Sequence, residues 1–221
     1  MGEYGIRAVA ARAERASLLT PVAKAFATDI GCEVASLGVQ VHGGMGYVEE
    51  TGAAQHLRDA RIAPIYEGTN GIQAIDLVTR KLPLSGGATV KAYLDEIRHI
   101  VDAVDRSNNP GFGFTDVRLR DAVDSLDRAT EWVLARLANE RDSALAVATP
   151  YLRLFALTAG GALLAQEALA ANRLAGNGAD AECRTALARF FADNLAVRAG
   201  ALERTVMAGA DSITACGAAL E

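Results

Sequence analysis

Cysteine, proline and aromatic residues are scarce in this sequence of 221 residues. It contains 3 cysteines, 5 prolines and 5% aromatic residues. Cys32, Cys183 and Cys216 are scattered and form no CxxC pair. An odd, dispersed set of cysteines argues against a disulfide framework and indicates a reducing compartment. We therefore expect a cytoplasmic location.

The sequence also lacks an excess of positive charge. Its formal net charge is −5. Residues 1–83 carry 8 basic and 9 acidic side chains, and residues 84–221 carry 14 basic and 18 acidic side chains. Binding to nucleic acid or to an anionic membrane surface requires a basic patch, so both are poor candidate partners. No apolar run is judged long enough to span a bilayer, and the N-terminus lacks the apolar segment of a signal peptide.

Residues that favour α-helix are abundant in the sequence. Alanine is abundant and is accompanied by Leu, Arg and Glu, which lose little rotamer freedom in a helix. We predict an all-α fold of two helical bundles. The boundary is placed at the Leu82–Gly87 segment, because Pro, Ser and paired Gly follow a periodic stretch there. The predicted domains are residues 1–83 and residues 84–221.

The first predicted bundle begins with a helix over residues 4–19. Thr20-Pro21 is expected to open a second helix, and Gly43-Gly44 to end it with a positive φ. Gly46 is expected to keep the next turn loose. The second helix should be well buried, since its apolar residues form one stripe. These residues are Val22, Phe26, Ile30, Val34, Leu37 and Val41.

Short helices should follow, and then four longer ones. Thr51 can cap a helix that reaches Arg61, and Thr69 or Asn70 can cap another that ends near Arg80-Lys81. The second bundle is predicted to be antiparallel, with Gly176-Asn177-Gly178 as a break, Asp180 as a cap and 209–221 as a frayed tail. Its helices are predicted at 88–106, 115–140, 149–173 and 180–208. Their apolar stripes comprise Leu119, Ala122, Leu126, Thr130, Val133 and Leu137, and then Leu187, Phe191, Leu195, Leu202 and Val206.

Glu67, in the tetrapeptide Tyr66-Glu67-Gly68-Thr69, has two interpretations. It can be an acid near a helix start that merely favours the helix dipole. Alternatively it is a general base: Gly68 lets a ligand approach the backbone, and a carboxylate removed from water becomes a stronger base. The single residue does not decide between them.

The glycine-rich segment from Gln40 to Gly44 also has two interpretations. It is a helix C-terminus in either case. In addition, its exposed backbone, with Gln40 and His42 beside it, could contact a nucleotide. It is not the strand-following GxGxxG of a dinucleotide fold.

The remaining polar residues favour structural roles. Arg58, Asp59 and Arg61 are expected to form a local ion pair. His42, His56 and His99 lack the spacing of a metal site, and the cysteines lack a histidine partner for thiol catalysis. One polar set predicts a solvated helix face. It comprises Arg118, Arg120, Asp121, Asp124, Asp127 and Arg128.

Taken in order, the motifs of residues 18–82 resemble the C-terminal domain of the flavin-dependent acyl-CoA dehydrogenases. Asn70-Gly71-Ile72-Gln73, followed by a long helical extension, looks like the branch with an additional C-terminal helical domain. Residues 84–221 would be that domain, which they resemble in layout only, since no motif there carries the likeness. The motifs of the first region are Gln40, Gly43-Gly44, Gly46-Tyr47, Arg58-Asp59-Ala60-Arg61-Ile62, Ile65-Tyr66-Glu67-Gly68-Thr69 and Asn70-Gly71-Ile72-Gln73.

The resemblance implies a reaction and a set of site residues. Family members oxidise an acyl-CoA to the trans-2-enoyl-CoA: a glutamate removes the α-proton, hydride leaves the β-carbon for FAD, and an electron-transferring flavoprotein takes the electrons. That base matches Glu67, whose N–H also polarises the thioester carbonyl, and Gly68 matches a substrate-lining position. The residues that match FAD contacts are Thr69, Asn70 and Gly71, and Gln40, Val41, His42, Gly43 and Gly44, the latter group across a subunit interface in many members.

The family's N-terminal and middle domains have no counterpart in these 221 residues. We therefore expect a C-terminal piece that is inactive alone, holds FAD weakly or not at all, and exposes apolar surface that promotes homo-oligomers. An alternative is a non-catalytic helical assembly module derived from the family. A role in nucleic-acid binding, known for some relatives, is disfavoured by the acidic balance.

Overall fold

The computed structural model describes residues 3–175 and 178–218, and within these ranges it contains α-helices and no β-strand. The all-α fold class is therefore confirmed. Short 3-10 turns and one π-helical turn, Leu77–Lys81, connect the helices. The helices are α1 (Glu3–Val41), α2 (Gly44–Tyr47), α3 (Ala53–Ala60), α4 (Asn70–Asp76), α5 (Ala88–Arg106), α6 (Thr115–Asn139), α7 (Arg141–Ala146), α8 (Ala148–Ala175), α9 (Ala179–Asn194), α10 (Ala199–Met207) and α11 (Asp211–Ala218).

The first helix, α1, continues without a break through Pro21. The predicted new helix start at Thr20-Pro21 is therefore wrong. Leu18, Val22 and Ala25 recur at helical spacing across the proline, and all three are buried in the core. A proline removes one backbone donor, and the continuous buried face on both sides of it outweighs that loss.

The outer half of the apolar stripe on α1 is exposed. Val34 and Leu37 are more than half exposed, and Val41 is 84% exposed. The prediction that the whole stripe is buried is wrong beyond Ile30, because the described elements that pack on α1 leave this face uncovered. Such a contiguous apolar face indicates a surface that meets another protein region.

The second bundle is organised around α8. This helix contacts α5, α6, α9 and α10, and it also reaches across to α1 and α4. Its buried Phe155 stacks on Tyr93 of α5, with ring centroids 5.7 Å apart. The buried side of α8 is apolar, and an exposed strip remains at Leu163, Gln166 and Glu167.

By length and composition alone, one described helix could cross a membrane: Ala148–Leu174 of α8, with a mean hydropathy of 1.4. The expectation that no apolar run is long enough for this is wrong on that criterion. However, 61% of the window is buried inside the protein. A helix that is apolar on all sides and buried among other helices is typical of a core helix.

The predicted helix over 180–208 is divided into α9 and α10 by a 3-10 turn at Ala196–Arg198. Leu187 on its predicted apolar stripe is half exposed, while the alanines on the neighbouring face are buried. The physical reason is close packing: an added Cβ at Gly161 of α8 would lie 2.6 Å from Leu119 Cδ2 and 3.4 Å from Phe191. The buried alanines of this face are Ala181, Ala188, Ala192, Ala196 and Ala199.

The structure differs from two predictions for the C-terminal helices α9 to α11. Gly178, rather than Asp180, is the N-cap of α9, and Asp180 lies in its first turn. Residues 211–218 form α11, so a frayed tail is wrong for the described part of 209–221. The predicted break at Gly176-Asn177 lies outside the described residues.

The charged face of α6 connects helices, which the sequence analysis did not predict. Each arginine that takes part reaches a carboxylate on a different helix, so these side chains order the bundle instead of being only solvated. The arginine side chains in these pairs are 34–56% exposed, so each pair contributes at most about 1 kcal/mol. The pairs are Arg98 with Asp124 and Asp127, Arg120 with Asp102, and Arg128 with Glu203.

The buried apolar residues on both sides of the predicted domain boundary form one continuous cluster, from Leu18 to Val206. Polar contacts also cross the boundary, since the Glu14 carboxylate accepts hydrogen bonds from Ser85 and Thr89. The division into residues 1–83 and 84–221 stays a prediction about domains. In the structure both regions share one core.

The buried hydroxyl pair between α6 and α8 gives a test of the core. Thr130 Oγ1 and the Tyr151 hydroxyl lie 2.7 Å apart, both residues are buried, and burial raises the pKa of Tyr151. Thr130→Val leaves the tyrosine hydroxyl without this partner, and we expect the free energy of unfolding to fall by about 1–3 kcal/mol. Urea denaturation measures the change.

Thr205→Val is the matched control for that experiment. Thr205 is exposed, and its hydroxyl donates to the carbonyl one turn earlier, as that of Thr130 does. We expect a change within about 0.5 kcal/mol. Equal losses in the two variants would contradict the importance of the buried pair.

The contact between Arg128 and Glu203 predicts a pH dependence of stability. The hydrogen bond from Arg128 lowers the pKa of Glu203 from its ordinary value of 4.5. The stabilisation is therefore present above pH 4.5 and is lost as the pH falls through the lowered pKa. Unfolding free energies measured from pH 3 to 6 should change less with pH in Glu203→Gln than in the parent. Glu131→Gln on the exposed face of α6 should keep the parental slope.

Candidate functional site

The loop that precedes α4 carries Glu67 in a strained conformation. Glu67 has φ +54° and Gly68 has φ +82°, so two consecutive residues lie in the left-handed region. For a non-glycine residue this costs about 1–2 kcal/mol. Strain of this size persists where the surrounding contacts hold it and is common at functional sites.

The Glu67 side chain is open to its surroundings. The residue is exposed, and in the part of the chain that the structure describes its carboxylate has no hydrogen bond or ion pair. The carboxylate is neither sealed in the interior nor neutralised by an arginine, either of which would have excluded it as a base. The desolvation expected of a general base is not supplied by the described residues.

The carbonyl groups of the loop are held from two sides. Gln73 on α4 donates to the Glu67 carbonyl at 2.9 Å, and the Lys24 ammonium on α1 donates to the Gly68 carbonyl at 2.8 Å. In contrast, the backbone N–H groups of Glu67, Gly68 and Thr69 donate to no acceptor among the described residues. Successive unpaired N–H groups in such a turn can bind an oxyanion.

Asn70 connects the loop to α1 through its side chain. Its Oδ1 accepts from Lys24 Nζ at 2.8 Å, and its Nδ2 donates to the Ala25 carbonyl at 3.0 Å and to Asp29 Oδ1 at 2.6 Å. Thr28 also contacts the amide. The Asn70 side chain is therefore used to hold the loop, and its backbone N–H is used in the same way, since it donates to the Pro64 carbonyl at 3.1 Å.

Thr69 caps α4, as predicted, because its hydroxyl accepts from the N–H of Ile72 at 3.4 Å. Gly71 follows on the exposed side, and an added Cβ there would meet nothing within 4 Å. Backbone groups at this helix start are therefore accessible to a large ligand. Lys24 and Gln73 were not among the predicted site residues. Gln73 stands in the Asn70-Gly71-Ile72-Gln73 motif, whereas the only signal for Lys24 was its helical spacing relative to Thr28.

The glycine turn after α1 has the predicted positive φ, which is +61° at Gly43. Gln40, Val41 and His42 are exposed, and His42 Nδ1 lies 2.9 Å from the Gly38 carbonyl. This confirms the helix end and leaves the turn surface open. Its role in cofactor binding stays a prediction.

Gly46 has a different role from the one expected. An added Cβ would lie 2.3 Å from the Val39 carbonyl oxygen and 2.8 Å from His42 Cβ. Gly46 is therefore required by close packing against the last turn of α1; the idea that it keeps the turn loose is wrong. Thr51 Oγ1 donates to the Met45 carbonyl at 2.7 Å and anchors the same turn.

The two predicted cofactor segments lie apart on this chain. The loop contacts α1 as far as Asp29, and Gln40 lies roughly 17 Å further along the same helix at about 1.5 Å per residue. The structure brings Glu67, Gly68, Thr69, Asn70 and Gly71 together. It does not bring the Gln40–Gly44 segment to them.

Exposed apolar side chains surround both segments. Tyr66 beside Glu67 is 52% exposed, and Tyr47 beside the glycine turn is 82% exposed. Surfaces of this kind mark contacts with ligands or protein. The other exposed apolar residues near the two segments are Met45, Val48, Ile62, Ile65, Ile72 and Ile75.

The predicted ion pair of Arg58 with Asp59 is not formed. Arg58 instead contacts Glu49 at 3.4 Å, and Gln55 bridges Arg58 and Asp59 through hydrogen bonds. Adjacent residues on a helix point about 100° apart, so i,i+3 and i,i+4 neighbours are better placed. Among the described residues no group of His, Cys, Asp and Glu could hold a metal ion.

Concave surfaces occur elsewhere in the chain. A cavity of about 880 Å³ opens between the Pro110–Phe112 turn and α9, and Glu67 is not among its lining residues. A cavity of about 80 Å³ lies beside Asn70 and Gly71, where Arg153 of α8 approaches α1. The surface at Glu67 is therefore open, and described residues of this chain do not enclose it.

Comparison with known proteins agrees with this architecture. The family model "Acyl-CoA dehydrogenase, C-terminal domain" matches residues 4–82, and "Acetyl-CoA dehydrogenase C-terminal like" matches residues 93–216. The chain belongs to the acyl-CoA dehydrogenase family and corresponds to its C-terminal region. The resemblance inferred from the motifs is confirmed.

Individual relatives show the same pattern. A 3-methylmercaptopropionyl-CoA dehydrogenase from Ruegeria pomeroyi is 37% identical over 217 residues, which are 96% of this chain and 37% of the relative. A butyryl-CoA dehydrogenase from Syntrophomonas wolfei is 29% identical over 182 residues, 79% of this chain and 29% of the relative. A short-chain-specific acyl-CoA dehydrogenase from Megasphaera elsdenii is 43% identical over 70 residues, 32% of this chain and 16% of the relative. The chain thus spans less than two fifths of the length of these relatives.

The close approach at Gly46 gives a test of the glycine turn. Gly46→Ala places a methyl group against the Val39 carbonyl oxygen. Because that oxygen is a backbone atom, it cannot easily move away. We expect the free energy of unfolding to fall by about 1–3 kcal/mol. Gly44→Ala is the matched control, because its added Cβ meets nothing within 4 Å. Chemical denaturation compares the two, and equal stability would contradict the packing role of Gly46.

Proposed function

We propose that this chain carries the catalytic base of an FAD-dependent acyl-CoA dehydrogenase, which oxidises an acyl-CoA to the trans-2-enoyl-CoA. The base is Glu67. The observation that carries the proposal is its carboxylate: it is exposed, it has no partner in the described residues, and the loop that presents it is strained and held by α1 and α4. A structural acid at a helix start does not need such a conformation.

The chemistry proposed for Glu67 is proton abstraction. Its carboxylate oxygen takes the α-proton of the thioester as the α C–H bond breaks, and the electron pair forms the new C=C bond as hydride leaves the β-carbon. The unpaired N–H groups of residues 67–69 would stabilise negative charge that develops on the thioester carbonyl. Gly68 would line the substrate, as the family resemblance implies, and its φ of +82° is a conformation that glycine adopts without strain.

FAD would be held by backbone groups. Gly71 has open space around it, and the Asn70 side chain is occupied by α1, so the Thr69–Gly71 segment fits a ligand that approaches the main chain. When bound, FAD supplies the hydride acceptor. The Gln40–Gly44 segment lies roughly 17 Å further along α1 than Asp29. As the family resemblance implies, it would contact the cofactor of a second copy in a homo-oligomer.

The remaining components follow from family membership and stay proposals. They are fatty acid β-oxidation as the process, an electron-transferring flavoprotein as the electron acceptor, and the cytoplasm as the location. The chain alone should have no dehydrogenase activity and weak FAD affinity, because the described residues do not enclose the surface around Glu67.

Glu67→Gln tests the assignment in a full-length family enzyme that carries this chain with an N-terminal and a middle domain. The amide keeps the shape and cannot accept the proton, so we expect kcat in a dye-reduction assay to fall by about 10²–10⁴-fold. Glu50→Gln, an exposed carboxylate in the same bundle, should leave turnover unchanged. Unchanged turnover in Glu67→Gln would reject Glu67 as the base.

The second candidate is a non-catalytic helical assembly module. The exposed apolar face of α1 and the shared core with the second bundle favour it. Light scattering after size-exclusion chromatography and an absorbance scan for flavin separate the two. Flavin that co-purifies with this chain would count against a purely structural role.

A further inference from the structure

We propose that Lys24 and Gln73 are positioning residues that hold the Glu67 loop in its active conformation. The inference rests on the proposed function and gives a role to Gln73, the last residue of the Asn70-Gly71-Ile72-Gln73 motif, and to Lys24, which lies in no motif. Both donate to consecutive carbonyl groups of the loop, Gln73 to Glu67 at 2.9 Å and Lys24 to Gly68 at 2.8 Å. The donors come from different helices, so the loop is held between α1 and α4.

The lysine is suited to this task by its surroundings. It is half-buried, and its ammonium contacts the Gly68 carbonyl and Asn70 Oδ1, both at 2.8 Å, with no carboxylate within ion-pair distance among the described residues. Hydrogen bonds from a charged donor are about twice as strong as neutral ones. A lysine that only solubilised the helix would extend into water.

The direction of the carbonyls matters for catalysis. Because the carbonyls of Glu67 and Gly68 accept bonds from Gln73 and Lys24, the Glu67–Gly68 and Gly68–Thr69 peptide groups are fixed in orientation, and with them the N–H groups of Gly68 and Thr69, which have no acceptor in the described chain. These N–H groups are among the donors proposed for the thioester oxygen. Loss of either contact lets the strained residues at positive φ relax toward ordinary conformations.

The hydrogen bonds from Lys24 and Gln73 also fix the position of Glu67 relative to α1. Asn70 continues the same network to Asp29 and to the Ala25 carbonyl, so Lys24 joins the base loop to an element that is anchored in the core by Leu18 and Val22. A misplacement of about 1 Å at a reacting group can cost about 10²-fold in rate. Lys24 therefore acts through Glu67 and does not contact the reacting atoms.

The first test uses the chain alone. Lys24→Met removes the ammonium and keeps the apolar stem. We expect hydrogen exchange in residues 62–72 to become about tenfold faster, most of all at the Asn70 N–H, which donates to the Pro64 carbonyl at 3.1 Å. Hydrogen-exchange mass spectrometry at short labelling times measures this. Gln73→Met should accelerate exchange in the same segment, which keeps the test decisive if one variant folds poorly.

Lys81→Met is the matched control. Lys81 is also half-buried and also ties its segment to α1, through Ser17 at 2.9 Å, but it does not contact the loop. Its removal should leave exchange in residues 62–72 as in the parent. Equal exchange of this segment in Lys24→Met and Lys81→Met would overturn the proposal.

The second test uses the full-length enzyme. We expect Lys24→Met to lower kcat by about 10–100-fold and to change KM by less than about threefold, because the base is misplaced while binding remains. A raised KM with unchanged kcat, or no change in either, would contradict a positioning role. If Glu67→Gln retains full turnover, the proposed function fails, and the exchange measurement on the chain alone still decides whether Lys24 orders the loop.

Discussion

The hydrogen bonds between α1 and the loop before α4 are the constraint on which the candidate site depends. Lys24 and Asn70 join a half-buried helix face to a loop that contains two consecutive residues at positive φ. Strain of this kind is lost when its supports are lost, so the conformation of Glu67 depends on residues more than 40 positions away in the chain. The site is therefore a property of two helices and of the loop between them.

Those helices are in turn supported by the second bundle. α8 packs on both α1 and α4, and its residues Thr149, Leu152 and Arg153 border the small cavity beside Asn70. Because one apolar cluster runs from Leu18 to Val206, the bundle that carries no recognised motif stabilises the one that does. Additional helices of this family thus contribute to the geometry of the loop even where they are distant from Glu67.

Several large apolar side chains of this chain are exposed, and their positions indicate where other protein or a ligand packs. The outer half of α1, the glycine turn and the loop residues Ile62, Ile65 and Tyr66 all present apolar side chains to solvent. A hydrophobic surface of this extent is unfavourable in water and is expected where further protein or a ligand packs. It agrees with the finding that this chain matches only 37% of the length of the Ruegeria pomeroyi relative.

Sequence alone determined the elements whose cause is local. Helix-forming composition gave the all-α class, Thr69 gave the cap of α4, Gly43 gave the end of α1, and the apolar stripe of α6 marked its buried face. Only the tertiary structure decided the features that depend on neighbours distant in sequence. Pro21 stays within α1 because the residues on both sides of it are buried, and alanines form the buried face of α9 because α8 packs closely against it. Lys24 of α1 donates a hydrogen bond to Gly68, which lies two elements further along the chain. Periodicity specifies a face of a helix, whereas the partner of that face is set by packing of the whole chain.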